Sequence, residues 1–227
     1  MSQVVYTAIS QGYDRLQPVP IHARRGATFV AFLETSECVE PWEIRPLERR
    51  HTDRVRDVRA YKILPQRFFP EAEISLWLDG KMELAVSLDR LLEFLQDADL
   101  AVFDHASRCC LYEEACHCIH RRLDDPEIMY RQIQRYTRAG FPANWGLVDT
   151  AVLLRRHNPK MEEFCRTWWQ EIEHGSRRDQ LSFTYCAWKC GLKFRLLPGF
   201  THRNQLFKIH RHLRSLQPPS TGSPLSQ

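Results

Sequence analysis

Solidly apolar runs recur along the chain and are separated by segments with an apolar residue at every third or fourth position. The apolar runs predict buried strands at QVVYTAI (3–9), TFVAFLE (28–34), ISLWLD (74–79), DLAVFDH (99–105) and TAVLLRR (150–156). Because neighbouring positions in these runs are apolar, rather than every second one, both faces of the sheet are expected to be covered. Two weaker strands are predicted at 42–48, which Pro46 confines to a sheet edge or cuts short, and at 193–198.

The segments between the strands predict helices, because their apolar positions follow the helical period. These helices cover residues 53–68 with a break at Pro65, 87–96, 111–123, 126–138, 159–175 and 179–191. Ser87 is a candidate N-cap, Pro126 suits the first turn of a helix, and Gly140 suits its end. Strands that alternate with helices predict an α/β fold with a largely parallel sheet. We expect one domain over residues 1–213 and a disordered tail, rich in Pro, Ser and Gly, over 214–227.

The composition is that of a soluble globular protein, with 43% hydrophobic and 26% charged residues. The net charge of +4 is too small to indicate a nucleic-acid partner. No apolar run approaches the roughly 18 residues that would span a bilayer, and the first residues lack the pattern of a signal peptide. We therefore expect a cytoplasmic protein without a transmembrane segment.

The eight cysteines are expected to be mostly buried thiols in a reducing compartment. One dense cluster, CCLYEEACHCIH (109–120), places Cys116 and His120 four residues apart, so that the two can share a helical face. The cluster has no CxxC pair, and no second such pair follows it along the chain. Its spacing therefore does not favour a structural zinc site.

Polar residues directly follow three of the predicted strands, at 7–10, 78–81 and 103–105. In α/β folds ligands bind at the carboxyl ends of the strands, so these three ends are candidate parts of a site. No GxGxxG or GxxxxGK[ST] motif follows any strand, which disfavours an ordinary dinucleotide site or P-loop. Three cations lie at three-residue spacing on the helix that precedes the second of these ends: Arg56, Arg59 and Lys62.

Four segments, VVYTAISQGYD, RVRDVRAYKILPQRFFPEAEISLWLDGKMEL, FDHASRCCLYEEA and WWQEIEHGSRRDQLSFTYCAWK, resemble in this order one family of hexosyltransferases. That family is catalogued as domain of unknown function 616 and occurs in plants and bacteria. The resemblance covers roughly residues 3–203, and YKILP…FP…ISLWLDGK with RRDQLSF is its most specific combination. Its members are similar to GT-A glycosyltransferases. The resemblance therefore implies a single-domain, GT-A-like α/β fold with a mixed, mostly parallel sheet flanked by helices.

The resemblance implies a nucleotide-sugar-dependent hexosyltransferase that acts on a glycan or polysaccharide acceptor, with a UDP-linked sugar as the expected donor. Donor-binding residues are then expected at strand ends and on the basic helix: Thr7, Ala8, Ile9, Tyr13, Arg56, Arg59, Lys62, Asp79, Gly80 and Lys81. The implied catalytic candidates are Asp179 and His105. Candidates for acceptor or sugar contacts are Arg108, Trp145 and Gln180.

The ISLWLDGK segment lies where GT-A enzymes carry an Asp-x-Asp motif, which holds a divalent metal against the donor diphosphate. Here Lys81 replaces the second acid, and one carboxylate is a poor site for Mn²⁺ or Mg²⁺ without other ligands. Two interpretations stay open. In one, Asp79 and His202 hold the metal together. In the other, fixed cations neutralise the diphosphate and no metal is used: Lys81, Arg56, Arg59 and Lys62.

Asp179 also has two interpretations. Ser176 and Asp179 have the spacing of a capping box, in which the acid would cap a helix N-terminus. The resemblance instead implies an acid that faces the acceptor and the anomeric carbon. If the reaction inverts, this acid is the general base; if it retains, the acid positions the acceptor or stabilises the oxocarbenium-like centre. The sequence leaves the stereochemistry open.

Two other function classes are compatible with the sequence. Loss of the second motif acid would also suit a catalytically silent module that binds a carbohydrate or nucleotide sugar, and a turnover assay would distinguish it. A nucleic-acid-binding protein that uses the basic face of RVRDVRAYK is the weaker alternative. The basic surface interleaved with aromatic residues that such a protein requires is missing.

Overall fold

A computed structural model describes residues 2–35 and 38–213, so the predicted tail at 214–227 lies outside the described residues. The strands in this part of the chain are β1 (Gln3–Ile9), β2 (Thr28–Leu33), β3 (Glu43–Pro46), β4 (Ile74–Leu78), β5 (Met82–Leu84), β6 (Leu100–Asp104), β7 (Val148–Arg156), β8 (Phe194–Phe200) and β9 (Phe207–Ile209). The α-helices are α1 (Arg54–Ile63), α2 (Pro65–Phe68), α3 (Leu88–Leu92), α4 (Leu111–His120), α5 (Pro126–Arg138), α6 (Pro159–His174) and α7 (Gln180–Cys190). None of the described helices combines the length and apolarity that crossing a membrane requires.

Seven strands form one mixed sheet in the order β3-β2-β1-β4-β7-β6-β8. Neighbouring strands run parallel except around β7, which lies antiparallel between β4 and β6. The predicted α/β fold with a mixed, mostly parallel sheet is confirmed, and β3 lies at the sheet edge, as its Pro46 requires. Because β7 runs in the opposite direction, it begins where its two neighbours end.

The pairing of β6 with β7 is irregular near the start of β7. Phe103 lies opposite Asp149, whereas the preceding residue, Val102, lies opposite Leu153. Residues 150–152 of β7 therefore have no partner on β6, and the strand forms a bulge there. This bulge lies at the same edge of the sheet as the carboxyl end of β4.

Apolar side chains cover both faces of the sheet, as the solidly apolar strands predict. Tyr6 and Trp77 belong to one core cluster, which also contains residues of α1, α6 and α7. Leu76, next to Trp77 in the chain, belongs to the other cluster together with Leu88 of α3 and Phe207 of β9. Since consecutive strand residues point to opposite faces, a strand buried on both faces has the continuous apolar pattern seen in the sequence.

Two elements differ from the sequence-based expectation. The helix predicted over 87–96 is limited to the short α3, although Ser87 does cap it by accepting a hydrogen bond from the Arg90 amide at 3.4 Å. The antiparallel pair of β5 and β9 was not predicted. Three-residue strands are too short to show a period in the sequence, and this pair depends on a contact between distant parts of the chain. The predicted break at Pro65 is confirmed, since it separates α1 from α2.

Candidate functional site

A cavity of about 510 Å³ opens at the carboxyl ends of β1 and β4, beside the first residues of β7. Its volume lies within the range of roughly 300–1,000 Å³ that is usual for small-molecule sites. From β1, the sheet continues to β2 and β3 on one side. On the other side of β1 it continues to β4, β7, β6 and β8. The cavity therefore lies where the strand order reverses, which is the expected ligand position in an open α/β sheet.

Ten residues that the sequence predicted for the site line this cavity: Ala8, Ile9, Tyr13, Arg59, Lys62, Asp79, Gly80, Lys81, Asp179 and Gln180. They come from four parts of the chain, namely the end of β1 with the loop that follows it, helix α1, the turn after β4, and the start of α7 with the residue before it. The role of each residue stays a prediction. The wall is completed by residues that the sequence analysis did not propose: Ser10, Gln11, Asp14, Arg54, Val55, Val58, Trp77, Leu123, Asp149, Thr150, Ala151, Arg177, Arg178 and His212.

Lys62 lies at the centre of the charged residues in the cavity wall. Its Nζ contacts Asp179 Oδ2 at 2.7 Å, Asp79 Oδ1 at 3.1 Å and Thr150 Oγ1 at 3.2 Å. The side chain of Lys62 is only 1% exposed. Because these three acceptors match the three protons of an ammonium group, Lys62 bridges two acids and has no proton left for a ligand. Lys62 was predicted to contact the donor, and in this structure its ammonium contacts two acids and a hydroxyl.

The Asp179 carboxylate faces the same cluster and does not cap a helix. Helix α7 begins at Gln180, and the Asp179 side chain makes no capping hydrogen bond, so the capping-box interpretation is wrong. Oδ2 accepts a hydrogen bond from Thr150 Oγ1 at 2.8 Å, and Oδ1 lies 3.2 Å from the guanidinium of Arg59. Burial alone would raise the pKa of Asp179, but the charges of Arg59 and Lys62 outweigh it and hold this pKa well below its usual range.

Asp79 directly follows β4 and lines the cavity. Its Oδ1 accepts a hydrogen bond from the indole N–H of Trp77 at 2.8 Å, in addition to the contact with Lys62. Its backbone N–H donates to the Ala151 carbonyl at 2.8 Å, which ties the turn after β4 to the bulge of β7. The Asp79 side chain remains 27% exposed, so part of its carboxylate is open to a ligand.

Gly80 and Lys81 form the turn after Asp79. A Cβ atom on Gly80 would lie 2.8 Å from the Ile9 side chain and 2.9 Å from that of Asp14, so glycine is required for this close approach of the turn to the end of β1. The half-buried Lys81 lines the cavity, and its charge acts on the Asp14 carboxyl. Within the described residues, its ammonium forms no ion pair. Lys81 is therefore a cation available to an anionic ligand.

Asp14, Tyr13 and His212 form the outer wall of the cavity. His212 follows β9, and its Nδ1 lies 2.6 Å from Asp14 Oδ1. The Tyr13 ring packs on the His212 ring with 4.7 Å between their centroids. Burial raises the pKa of Asp14, and the hydrogen bond and charge of His212 offset this only in part. The sequence analysis named His202 as the histidine at the site, whereas the structure brings His212 there.

Arg56 does not reach the cavity. Its guanidinium donates to the carbonyls of Ile172 and of Gly175, the latter at 3.0 Å, and so ties α1 to the end of α6. Arg56 and Lys62 are six residues apart, which corresponds to about 600° of rotation around the helix axis. This is about 120° short of two full turns, so the two side chains point about 120° apart. The equal spacing in the sequence therefore does not place these two residues on one face.

The other predicted residues that do not line the cavity have separate locations. Thr7 is buried within β1, one residue before the lining begins. His105 and Arg108 follow β6, which β7 separates from β4, and the Arg108 guanidinium pairs with Glu114. Two residues lie in aromatic contacts elsewhere: Trp145 and His202. The antiparallel β7 thus splits the polar strand ends into two groups, and only one group belongs to the cavity.

Positive charge is in excess in the cavity wall. It contains six Lys and Arg residues, namely Arg54, Arg59, Lys62, Lys81, Arg177 and Arg178. It contains four acids, namely Asp14, Asp79, Asp149 and Asp179. Phosphate oxygens form their strongest hydrogen bonds with such cations, so the wall can bind an anionic group beside acidic side chains.

The predicted metal ligands do not come together. His202 lies outside the cavity, and one oxygen of Asp79 is already used by Lys62 and Trp77. Between residues 2 and 213, apart from 36 and 37, no three His, Cys, Asp or Glu residues are arranged to hold a metal ion. Of the two predicted ligands, the cavity therefore contains Asp79 but not His202.

Two curated proteins of Arabidopsis thaliana are similar to this chain in sequence. "Probable hexosyltransferase MUCI70" is 31% identical over 145 residues, which are 59% of this chain and 25% of that protein. "Alkaline ceramidase TOD1" is 27% identical over 136 residues, which are 55% of this chain and 29% of that protein. The match thus spans between a quarter and three tenths of the length of these relatives.

Among solved structures, the bifunctional glycosyltransferase WbbM in its apo form covers 87% of this chain and 38% of its own, with a TM-score of 0.51 and 11% identity. At this identity the likeness concerns the fold alone, and it supports the GT-A-like fold that the sequence predicted. The family described as TOD1/MUCI70, glycosyltransferase-like domain, matches residues 28–212. The prediction of a glycosyltransferase family is therefore confirmed: the chain belongs to the TOD1/MUCI70 glycosyltransferase-like domain family.

Proposed function

We propose that this chain moves a hexose from a nucleotide-sugar donor to a glycan acceptor. Family membership and the likeness to a protein named a probable hexosyltransferase support this reaction class. The observation that carries the proposal is one cavity at the strand ends in which a surplus of cations lies beside two carboxyl side chains, those of Asp79 and Asp179. A nucleotide sugar needs both, because its diphosphate is an anion and its anomeric carbon becomes positive as the glycosidic bond breaks.

The donor diphosphate is assigned to cations that have hydrogen-bonding capacity left. Lys81 lines the cavity and has no ion pair among the described residues. Its ammonium can donate to phosphate oxygens as negative charge develops on the leaving group. The Tyr13 ring at the outer wall offers a face on which the nucleoside base can stack. Positive charge at the diphosphate is supplied by side chains in this proposal, because the predicted metal ligands do not converge.

Asp179 is proposed to act through its negative charge. A carboxylate with a pKa well below its usual range is a weak base, and general-base catalysis is most efficient when the pKa lies near the working pH. Of the two roles implied by the resemblance, this favours stabilising the oxocarbenium-like centre over taking the acceptor proton. That role belongs to a reaction that retains the anomeric configuration.

The name of the second relative suggests a different substrate, a ceramide. A ceramide carries long apolar chains, and a cavity wall with ten Lys, Arg and Asp side chains does not favour their burial. The geometry therefore favours the nucleotide sugar. A catalytically silent module would share this cavity, so turnover is the property that separates it from an enzyme.

The test combines binding with turnover. A panel of nucleotide sugars is screened by thermal shift, since a ligand that binds only the folded state raises the Tm. The hits are then assayed for release of nucleoside diphosphate with and without oligosaccharide acceptors. We expect one nucleotide sugar to raise the Tm and to be consumed faster with an acceptor present. Binding without consumption would identify a silent module, and salt-sensitive binding of oligonucleotides alone would favour the nucleic-acid alternative.

A further inference from the structure

Two acids from different elements share one cation inside the cavity wall. Asp79 Oδ1 and Asp179 Oδ2 lie 3.1 Å and 2.7 Å from the ammonium nitrogen of Lys62. The third acceptor, Thr150 Oγ1, lies 3.2 Å away and itself donates to Asp179 at 2.8 Å. Three oxygen atoms therefore surround the nitrogen, which is the number that an ammonium group can satisfy.

Lys62 is held at both ends of its side chain. The hydroxyl of the fully buried Tyr6 donates to the Lys62 carbonyl at 3.1 Å and fixes its backbone. At the other end, Nζ lies 5.8 Å from the centre of the Trp77 ring, within the range of a cation–π contact. A buried charge held in this way cannot move toward a diphosphate, so its function lies in what it does to its two acids.

The oxygens around the ammonium are of the kind that hard divalent cations prefer, two carboxylates and a hydroxyl. A divalent ion would need these oxygens at about 2.0–2.6 Å. The distances of 2.7 Å to 3.2 Å are those of N–H···O hydrogen bonds. The position between Asp79 and Asp179 is thus shaped for an ammonium group.

We propose that Lys62 is a built-in cation that takes the place of an exchangeable divalent ion between Asp79 and Asp179. It is a positioning residue, because its ammonium holds both carboxylates at a fixed separation without contacting the substrate. Its effect on catalysis rests on the proposed glycosyltransferase function. Its effect on cation binding does not, and can be measured in the absence of any donor.

Arg59 does not duplicate this role. It contacts the other oxygen of Asp179, Oδ1, at 3.2 Å and makes no ion pair with Asp79. When the Lys62 side chain is removed, the remaining oxygens of Asp79, Thr150 and Asp179 face an unfilled position. Such a position should accept a divalent cation whose other ligands are water molecules.

The decisive experiment measures Mn²⁺ binding to donor-free protein by electron paramagnetic resonance. We expect Lys62→Ala to bind Mn²⁺ at one site at least about tenfold more tightly than wild type, because the ammonium that two carboxylates share is removed there. The double variant Lys62→Ala/Asp179→Asn is the matched control and should return to the wild-type level. If folded Lys62→Ala binds Mn²⁺ no more tightly than wild type, the proposal is overturned.

A second measurement decides the matter if Lys62→Ala does not fold. Asp79→Asn, Asp179→Asn and their combination keep the shape of the site, and their Tm values form a double-mutant cycle. Because one ammonium serves both acids, the combined variant should lose more Tm than the sum of the single losses, since Lys62 is then buried without any carboxylate. Additive losses would show that the two acids do not share the cation and would overturn the proposal.

Activity assays test the positioning role separately. Mn²⁺ should restore turnover of Lys62→Ala at least about fivefold, but not turnover of Lys62→Met, whose apolar side chain fills the same space. Lys62→Met with wild-type kcat would overturn the positioning role. If wild type itself shows no transfer or donor hydrolysis, the proposed function fails, while the Mn²⁺ result still decides whether Lys62 replaces an ion.

Discussion

Two lysines of the cavity, Lys62 and Lys81, show how the same side chain takes two different positions in a site. Lys62 lies in the interior between α1 and the sheet, and its ammonium is used by three acceptors. Lys81 lies beyond the end of β4 and, within the described residues, forms no ion pair. Sequence analysis predicted donor contacts for both. Burial, and not charge, separates the lysine that organises other residues from the one that can meet an anionic ligand.

Two acids of the cavity differ in the same way: Asp179, which lies beside Lys62 in what we call the inner wall, and Asp14 of the outer wall. Asp179 is surrounded by cations, which hold its pKa well below the usual range despite burial. Asp14 has one hydrogen-bonded histidine, and burial raises its pKa. The inner wall therefore keeps fixed charges, whereas the outer wall has an acid whose charge is less favoured. The following variants test this division, beginning with the largest expected effect.

Asp179→Asn removes the charge of the inner acid. We expect turnover of the folded variant to fall by a factor of about 10² or more, because the charge that stabilises the reacting centre is lost. The donor Kd should change by less than about threefold, since Lys81 remains in place. Turnover and calorimetric Kd are measured beside wild type. Near-normal turnover would make Asp179 a purely structural acid.

Lys81→Met removes the cation in the turn that follows Asp79. Donor binding should weaken by about 10- to 100-fold, which corresponds to about 1.5–3 kcal/mol for a hydrogen bond to a charged group. The Tm of the free protein should not fall, because Lys81 has no ion pair among the described residues to lose. Calorimetry measures the donor Kd, with Lys193→Met at an exposed position as the control. Equal affinity of Lys81→Met and wild type would place the diphosphate elsewhere.

The two acids should contribute to acid stability with opposite signs. The folded pKa of Asp179 lies below its unfolded value, so its stabilisation is present above the unfolded pKa and is lost as the pH falls toward the folded one. The folded pKa of Asp14 lies above its unfolded value, so its contribution is lost as the pH rises through the folded pKa. In thermal melts from about pH 5 to pH 2, Asp179→Asn should reduce the acid-induced loss of Tm and Asp14→Asn should steepen it. Parallel profiles for wild type and Asp179→Asn would contradict this assignment.

Arg56→Ala should have the smallest effect on the donor. Its guanidinium donates to the carbonyls of Ile172 and Gly175 and does not line the cavity, so the donor Kd should stay within about twofold of wild type. Stability should fall by about 1 kcal/mol through loss of these hydrogen bonds. Chemical unfolding and calorimetry measure the two quantities. A tenfold loss of donor affinity would return Arg56 to the donor site.

Most of the fold was predictable because burial on both faces leaves a direct signal in the sequence. The apolar runs of β1, β4 and β6 indicated buried strands, and alternation with helices indicated an α/β sheet. The direction of β7 left no such signal, since a buried strand has the same composition in either direction. Without that direction, the end of β6 could not be separated from the end of β4, and His105 was predicted for the site although it does not line the cavity.

The site was predictable where a residue follows a strand directly, as Asp79 and Lys81 do. It was not predictable where the contact depends on tertiary structure. Asp14 and His212 are 198 positions apart in the sequence and meet because β9 pairs with β5. Thr150 was read as the start of a strand, and its place between Lys62 and Asp179 depends on the direction of that strand.

The bulge at residues 150–152 makes the length of β7 a determinant of chemistry. Side chains alternate between the two faces of a strand, so deleting one bulge residue would turn the residues before it to the opposite face. Thr150 would then leave the ammonium of Lys62, while the apolar residues that follow the bulge would keep their pairing with β4. A single-codon deletion at Ala151 or Val152 would thus displace Thr150 from the site, although Lys62, Asp79 and Asp179 would all still be present.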